Sequence, residues 1–315
     1  MRIAVLDDYQ GVALTMADWS VLPPDATVTV FRDTLHSQED LIRRLREFEI
    51  VCLMRERTPF PASVIEALPA LRLIVTTGMR NASLDVAVAR KRGVMVCGTE
   101  GSTASTAELT WGLLIALARR IPMEDRAIRA GRWQESIGQD LEGLTLGLVG
   151  LGRLGGRVAE YARAFRMRIL AWSQNLTRET AERHGATLVS KEDLFAGSDF
   201  VSVHLVLSER TRGIVGAEDL GRMKPTACLI NTSRAGLVDQ AALLAALRER
   251  RIAGAGLDVY ETEPLPRGNP FLALDNAILL PHLGYVTERT YRAFYAGIVE
   301  DVAAFMAGSP IRVLG

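Results

Sequence analysis

The chain has 315 residues, with 37 basic side chains balanced by 37 acidic ones, 48% hydrophobic residues and 23% charged. At about 150 residues per domain that length suggests two domains, and the apolar content excludes a disordered chain. Zero formal charge removes bulk electrostatics as a reason to expect nucleic acid or an anionic membrane as a partner.

The opening Met1-Arg2-Ile3-Ala4-Val5-Leu6-Asp7-Asp8 reaches two acids after four apolar residues, which is not the shape of a signal peptide. Short runs rich in Val and Ile then alternate with helical patterns. Ile3–Leu6, Val28–Phe31, Ile50–Leu53 and Leu73–Val75 read as four buried strands, and Ser37-Gln38-Glu39-Asp40 reads as a capped helix start followed by Leu41, Leu45 and Phe48. The most apolar run, Leu109 to Ala118, is well short of the roughly twenty residues that span a bilayer. It lies in a helical stretch from Ser105 to Arg120 that is apolar on nearly every side. Such a helix is expected to pack between domains or against a second subunit.

A second series follows at Thr145–Val149, Arg168–Trp172, Phe200–His204, Cys228–Ile230, Ala255–Val259 and Ile278–Leu280. Strands interleaved with helices predict parallel sheets built from right-handed crossovers, and two series predict two sheets. Tyr291, Tyr295, Ile298, Val302 and Phe305 form a helical stripe that would return the chain to the first domain. Cys52, Cys97 and Cys228 sit far apart in apolar, strand-like runs without a CxxC pair. They read as buried core residues, so no disulfide framework and no metal site are expected. A cytoplasmic protein is the expectation.

Thr145–Val149 runs straight into Gly150-Leu151-Gly152-Arg153-Leu154-Gly155, and Leu154, Val158, Tyr161 and Phe165 then keep helical spacing. A glycine-rich turn between a strand and a helix suits a dinucleotide. Gly150 permits the tight turn, Gly152 leaves room for the pyrophosphate, and Gly155 lets the helix close on the strand. The next strand usually ends in an acid that bonds the adenosine ribose. This one ends in Ser173-Gln174-Asn175, and the first acid afterwards is Glu179. Without a carboxylate the 2′-phosphate of NADP is not repelled, and Ser173, Asn175 or Arg178 is placed to contact it. NADP is therefore the expected cofactor, with NAD the alternative if the pocket is merely neutral.

Three polar residues follow later strands. Arg234 comes after Ile230–Ser233, Glu263 after Leu257–Thr262, and His282 after Ile278–Pro281. Ligands of open parallel sheets bind beyond the carboxyl ends of the strands, so all three are expected to converge on the cofactor.

With these residues in place the chain resembles the D-isomer-specific 2-hydroxyacid dehydrogenase family. The resemblance covers essentially the whole chain. It rests on the Gly150–Gly155 loop, Asp199–His204, Asn231-Thr232-Ser233-Arg234, Leu257-Asp258-Val259 through Glu263-Pro264, and Pro281-His282-Leu283-Gly284. It implies an α/β fold of two Rossmann- or flavodoxin-like doubly wound parallel-sheet domains flanking an active-site cleft. Residues 1–98 with 286–315 would bind substrate and residues 99–285 would bind NAD(P), with hinges near Cys97–Thr103 and Gly284–Thr287. A homodimer through the 103–131 region is likewise implied.

By the same resemblance Arg234, Glu263 and His282 match the family's catalytic arginine, glutamate and histidine. Asp258 matches its cofactor-side aspartate, and Arg153, Leu154, Gln174, His204 and Thr232 fall among the cofactor-lining positions. His282 would supply the proton to a 2-oxo acid, Glu263 would orient the imidazole and favour its charged form, and Arg234 would grip the substrate carboxylate. The remaining histidines, His36 and His184, carry no expected function.

Several positions depart from the pattern. Val206 stands where relatives have proline, and Ala235 where glycine follows the arginine. The loop that holds the substrate carboxylate reads Thr77-Gly78-Met79-Arg80-Asn81, which makes Gly78, Met79 and Arg80 the substrate-binding residues. Arg55 joins them, and with Arg57 and Arg80 it offers charge for a second anionic group. The tail ends at Gly315 after the returning helix, so an appended regulatory domain is not expected. Reduction of glyoxylate or hydroxypyruvate is the first expectation, with 3-phosphoglycerate oxidation the alternative. A dinucleotide-sensing corepressor without turnover is a reading from a different class, since fold alone does not set function. A methyltransferase would leave the His–Glu–Arg set unexplained.

Overall fold

The computed structural model describes residues 1–101 and 104–315. The chain divides into two compact units, Met1–Ser102 with Thr287–Gly315, and Thr103–Val286. The first unit holds strands β1 (Arg2–Val5), β2 (Thr27–Val30), β3 (Ile50–Leu53), β4 (Leu73–Thr76) and β5 (Met95–Gly98) in one parallel sheet of order β2-β1-β3-β4-β5. Four of these coincide with the apolar runs of the sequence. Strand β5 is an addition to the four, a four-residue edge strand formed by the apolar run around Cys97. Cys97 and Gly98 pair with Val75 and Thr76 inside this strand. The first two residues of the segment expected to flex at 97–103 are thus paired in the sheet. Ser102 and Thr103 of that segment, the latter also in the 103–131 region, lie outside the described residues.

Local chemistry explains the helices of this unit. Ser37 caps Gln38–Leu45 by accepting from the Asp40 amide at 3.3 Å, and the helix buries Leu41 and Leu45. Thr287 caps the last helix, Glu288–Met306, in the same way through Thr290 N–H. Tyr291, Tyr295, Ile298 and Val302 form the buried stripe of that helix, which packs on β4 and β5. The tail then closes the sheet edge: Gly98 N–H donates to the Arg312 carbonyl, and Leu314 N–H to that of Val96.

The second unit contains β6 (Thr145–Val149), β7 (Arg168–Trp172), β8 (Thr187–Leu188), β9 (Phe200–Val203), β10 (Cys228–Asn231), β11 (Gly254–Leu257) and β12 (Ala277–Leu279). They form a parallel sheet of order β12-β11-β10-β9-β6-β7-β8. Six match the sequence reading, and the two-residue β8 has no period to read. Alternation along the strands fills both faces: Leu146, Leu148 and Ile230 enter one apolar cluster, and Val149, Val203, Leu229 and Leu257 enter the other. The order reverses between β6 and β9, and such a reversal opens a crevice at the strand ends.

The apolar helix Ala104–Ala118 is buried in large part within its own unit. It packs on β10, β11 and the helix Arg153–Ala164 of its own unit, with Trp111 edge-on to Tyr161 and Phe165. A sheet on one side and a helix on another are enough to bury an apolar helix, so neither a second domain nor a second subunit is needed to account for its composition. Among the described residues no helix is long and apolar enough to cross a membrane.

Candidate active site

The sheet register of the second unit aligns the ends of its strands. Trp172, Val149, Val203, Asn231, Leu257 and Leu279 pair in a continuous row across six strands. The residues that follow in each strand are Ser173, Gly150, His204, Thr232, Asp258 and Leu280. Each candidate cofactor or catalytic residue of this unit follows one of these strand ends by one to six positions.

The glycine turn has the geometry a pyrophosphate needs. Gly150 has φ +104°, which an L side chain rarely adopts. A Cβ on Gly155 would overlap the Gly150 carbonyl oxygen, so the helix closes on the strand only with glycine there. At Gly152 a Cβ would point into open space, and this residue heads the helix Arg153–Ala164 with no side chain capping it. The first-turn amides around Arg153 and Leu154 are thus available to an external anion at the positive end of the helix. The residues present fit a dinucleotide.

At the end of β7, Ser173 is half-buried, while Gln174, Asn175 and Arg178 are exposed. Gln174 exchanges hydrogen bonds with Arg210, a residue the sequence reading passed over. His204 follows β9, and its Nε2 pairs with Ser202 Oγ at 2.9 Å. Burial pushes its pKa down to about 4, so the ring is neutral at neutral pH. Thr232 follows β10, and its hydroxyl meets that of Thr110 at 2.7 Å, tying the strand end to the long apolar helix.

Arg234 sits on a loop organised by Asn231. The Asn231 Oδ1 accepts from Ser233 N–H and its Nδ2 donates to the Arg234 carbonyl, both at 3.0 Å. The guanidinium donates to the Ser233 carbonyl at 2.8 Å. From the ends of the next two strands, Glu263 and His282 meet at 2.6 Å through Oε2 and Nδ1. The other Glu263 oxygen accepts from the Tyr260 amide at 2.8 Å, so both oxygens are committed and the carboxylate cannot swing. Nδ1 being bonded, Nε2 is the nitrogen left for substrate. His282 itself has φ +55°, a sparsely populated conformation for a residue with a Cβ.

Asp258 shows what holds that conformation. Its fully buried carboxylate accepts from Leu283 N–H at 2.7 Å and from Gly284 N–H at 2.8 Å. Burial raises its pKa to about 6, against the pull of those amides and of His282. Read from the resemblance as a cofactor-side group, Asp258 is turned toward the loop that carries His282. Asn231, Tyr260 and this use of Asp258 all escaped the sequence reading.

The four substrate candidates lie in the first unit at the ends of β3 and β4. Arg55 donates its backbone N–H to Thr77 Oγ1 at 2.8 Å and its guanidinium reaches the Thr77 carbonyl at 3.3 Å, over Gly78. Met79 and Arg80 are exposed. Arg57 is drawn elsewhere, donating to the Asp7 carbonyl at 2.7 Å and stacking on the Tyr9 ring.

Residues 111–284 match the family described as D-isomer specific 2-hydroxyacid dehydrogenase, NAD binding domain. The glyoxylate reductase of Korarchaeum cryptofilum is 41% identical over 281 residues, covering 86% of this chain and 84% of that one. The D-3-phosphoglycerate dehydrogenase of Archaeoglobus fulgidus is 37% identical over 279 residues, 88% of this chain but 53% of its own, so the chain spans about half of that relative. The crystal structure of a phosphoglycerate oxidoreductase from Vibrio cholerae superposes with a TM-score of 0.93 at 39% identity, over 98% of this chain and 99% of that one. All three names are those of oxidoreductases, and nothing in them supports the corepressor reading. This chain belongs to the D-isomer specific 2-hydroxyacid dehydrogenase family and is a nicotinamide-dinucleotide-dependent oxidoreductase of small 2-hydroxy and 2-oxo acids.

Proposed function

We propose that the chain reduces glyoxylate or hydroxypyruvate to the D-2-hydroxy acid, with NADPH as the preferred reductant. The observation that carries the chemistry is the 2.6 Å contact between Glu263 and His282 at adjacent strand ends. A nicotinamide bound there would supply the hydride for the carbonyl carbon. His282 Nε2 donates the proton that the carbonyl oxygen takes up, and Glu263 holds the imidazolium that must give it. Arg234 forks onto the substrate carboxylate and polarises the ketone beside it. Arg55, Gly78, Met79 and Arg80 are proposed to hold the acid from the first unit.

Gly150, Gly152, Arg153, Leu154 and Gly155 would cradle the phosphates, and Ser173, Gln174, Asn175 and Arg178 the adenosine ribose. His204, Thr232 and Asp258 would border the dinucleotide. The lean to NADPH rests on the missing carboxylate after β7. Absorbance assays with NADPH and NADH against glyoxylate, hydroxypyruvate and phosphohydroxypyruvate test the whole reading. The highest kcat/KM is expected with NADPH and one of the first two acids. A clear NADH preference rejects the cofactor lean. A phosphohydroxypyruvate preference favours the second reading, for which Arg55 and Arg80 supply the charge.

A homodimer through the 103–131 region and the stretch after it is also proposed. Trp133 and Ile137 are 74% and 91% exposed, next to exposed Ile121 and Ile128. The groove beneath carries Arg119 and Arg132 together with Glu124 and Asp125, a mixture of signs that a two-fold copy of the same surface can complement. Light scattering should show a dimer that Trp133→Glu converts to a monomer; an unchanged dimer places the interface elsewhere.

A further inference from the structure

The end of β7 is tied to a loop from another strand. Arg210, seven residues past the end of β9, donates from Nη2 to Gln174 Oε1 at 2.8 Å, and Gln174 Nε2 donates back to the Arg210 carbonyl at 3.4 Å. Both residues are exposed. The reciprocal pair places a guanidinium beside the strand end where a dinucleotide fold receives the adenosine ribose. A carboxylate at that end would accept from the ribose hydroxyls and repel a 2′-phosphate. Gln174 instead offers a neutral amide, which positions the arginine without cancelling its charge.

We propose that Arg210, held in place by Gln174, is the residue that binds the 2′-phosphate and sets the cofactor preference. A guanidinium has five donors in a planar fork. The contact with Gln174 uses one edge of it, and the rest can meet phosphate oxygens in the paired geometry that arginine favours. Arg178 differs in kind. It opens the helix Arg178–Arg183 on the same loop as the ribose site, whereas Arg210 reaches the site from a separate strand and is braced from both its side chain and its backbone. Gln174 is thus a positioning residue in the place where an acid would select NAD.

The inference rests on the NADP reading above, and calorimetric titration separates the two. The full chain is titrated with adenosine 2′,5′-bisphosphate and with 5′-AMP, as wild type, Arg210→Ala and Gln174→Glu, with melting temperatures confirming that each variant folds. Wild type is expected to prefer the bisphosphate. In Arg210→Ala the ratio of the two affinities should fall about 10- to 100-fold, the usual worth of a charge-assisted hydrogen-bond pair. Gln174→Glu should pair with Arg210 and remove the preference as well. If wild type does not discriminate between the two ligands, the NADP reading fails before any variant is consulted. If wild type discriminates and Arg210→Ala keeps the same ratio, the NADP reading stands and Arg210 is not its determinant.

Discussion

Each unit turns from a strand into a helix at the point where its sheet order reverses, after β1 in the first and after β6 in the second. The two turns are built oppositely. After β1, the buried Asp8 carboxylate accepts from Val12 N–H at 3.1 Å and Ala13 N–H at 2.9 Å, and Asp7 beside it is held by the Thr34 and Thr58 hydroxyls. After β6, Gly152 heads the helix and contributes no side chain. The first unit satisfies its helix amides with an anion of its own, while the second leaves them for an anion from outside. Doubly wound topology creates two comparable crevices, and on the proposed function the side chain at the turn would decide which of them takes a phosphate.

The largest test of this contrast concerns the chemistry placed in the second unit. His282→Ala should lower kcat by about 10²- to 10⁴-fold, the range a positioned proton donor supplies, in a protein that still binds dinucleotide by fluorescence titration. Turnover at the wild-type rate would remove the histidine from the reaction. A smaller effect comes from making the second turn resemble the first. Gly152→Asp puts a carboxylate at the helix N-terminus, and like-charge repulsion should weaken dinucleotide binding about a hundredfold. The melting temperature should hold, since a Cβ there meets nothing within 4 Å. Retained affinity would mean that the phosphates bind elsewhere. The smallest effect is expected in the first unit, where Asp8→Ala should cost about 1 to 3 kcal/mol of stability in denaturant unfolding, as for backbone amides that lose a buried acceptor. A parallel loss of dinucleotide affinity would show that the two turns are not independent.

Most strands of both sheets were legible because parallel, two-sided burial writes continuous apolar runs such as Ile50–Leu53 and Thr145–Val149. The exceptions are β5 and β8, which end their sheets, and β8 has only two residues. The glycine turn was legible because Gly150, Gly152 and Gly155 meet three separate geometric demands at fixed spacing. Arg234, Glu263 and His282 came from motifs of a recognisable family, and the register row explains why such scattered positions share one edge. What did not show in the sequence is the support beneath them. Asn231 bracing Arg234, the Tyr260 amide on Glu263 and Asp258 on the Leu283 and Gly284 amides are hydrogen bonds between a side chain and backbone. Bonds of that kind leave no periodic pattern. The pairing of Arg210 with Gln174 spans 36 residues and is equally silent. The long helix Ala104–Ala118 was legible as buried, but composition could not say by what.

The central claim is that Glu263 holds the His282 ring so that Nε2 can reach the ketone. Its most direct test is the steady-state rate of 2-oxo acid reduction by Glu263→Gln beside wild type, with dinucleotide affinity followed by fluorescence titration. Loss of the carboxylate should lower kcat by about 10- to 100-fold while the dinucleotide still binds. A wild-type kcat in Glu263→Gln would contradict the account.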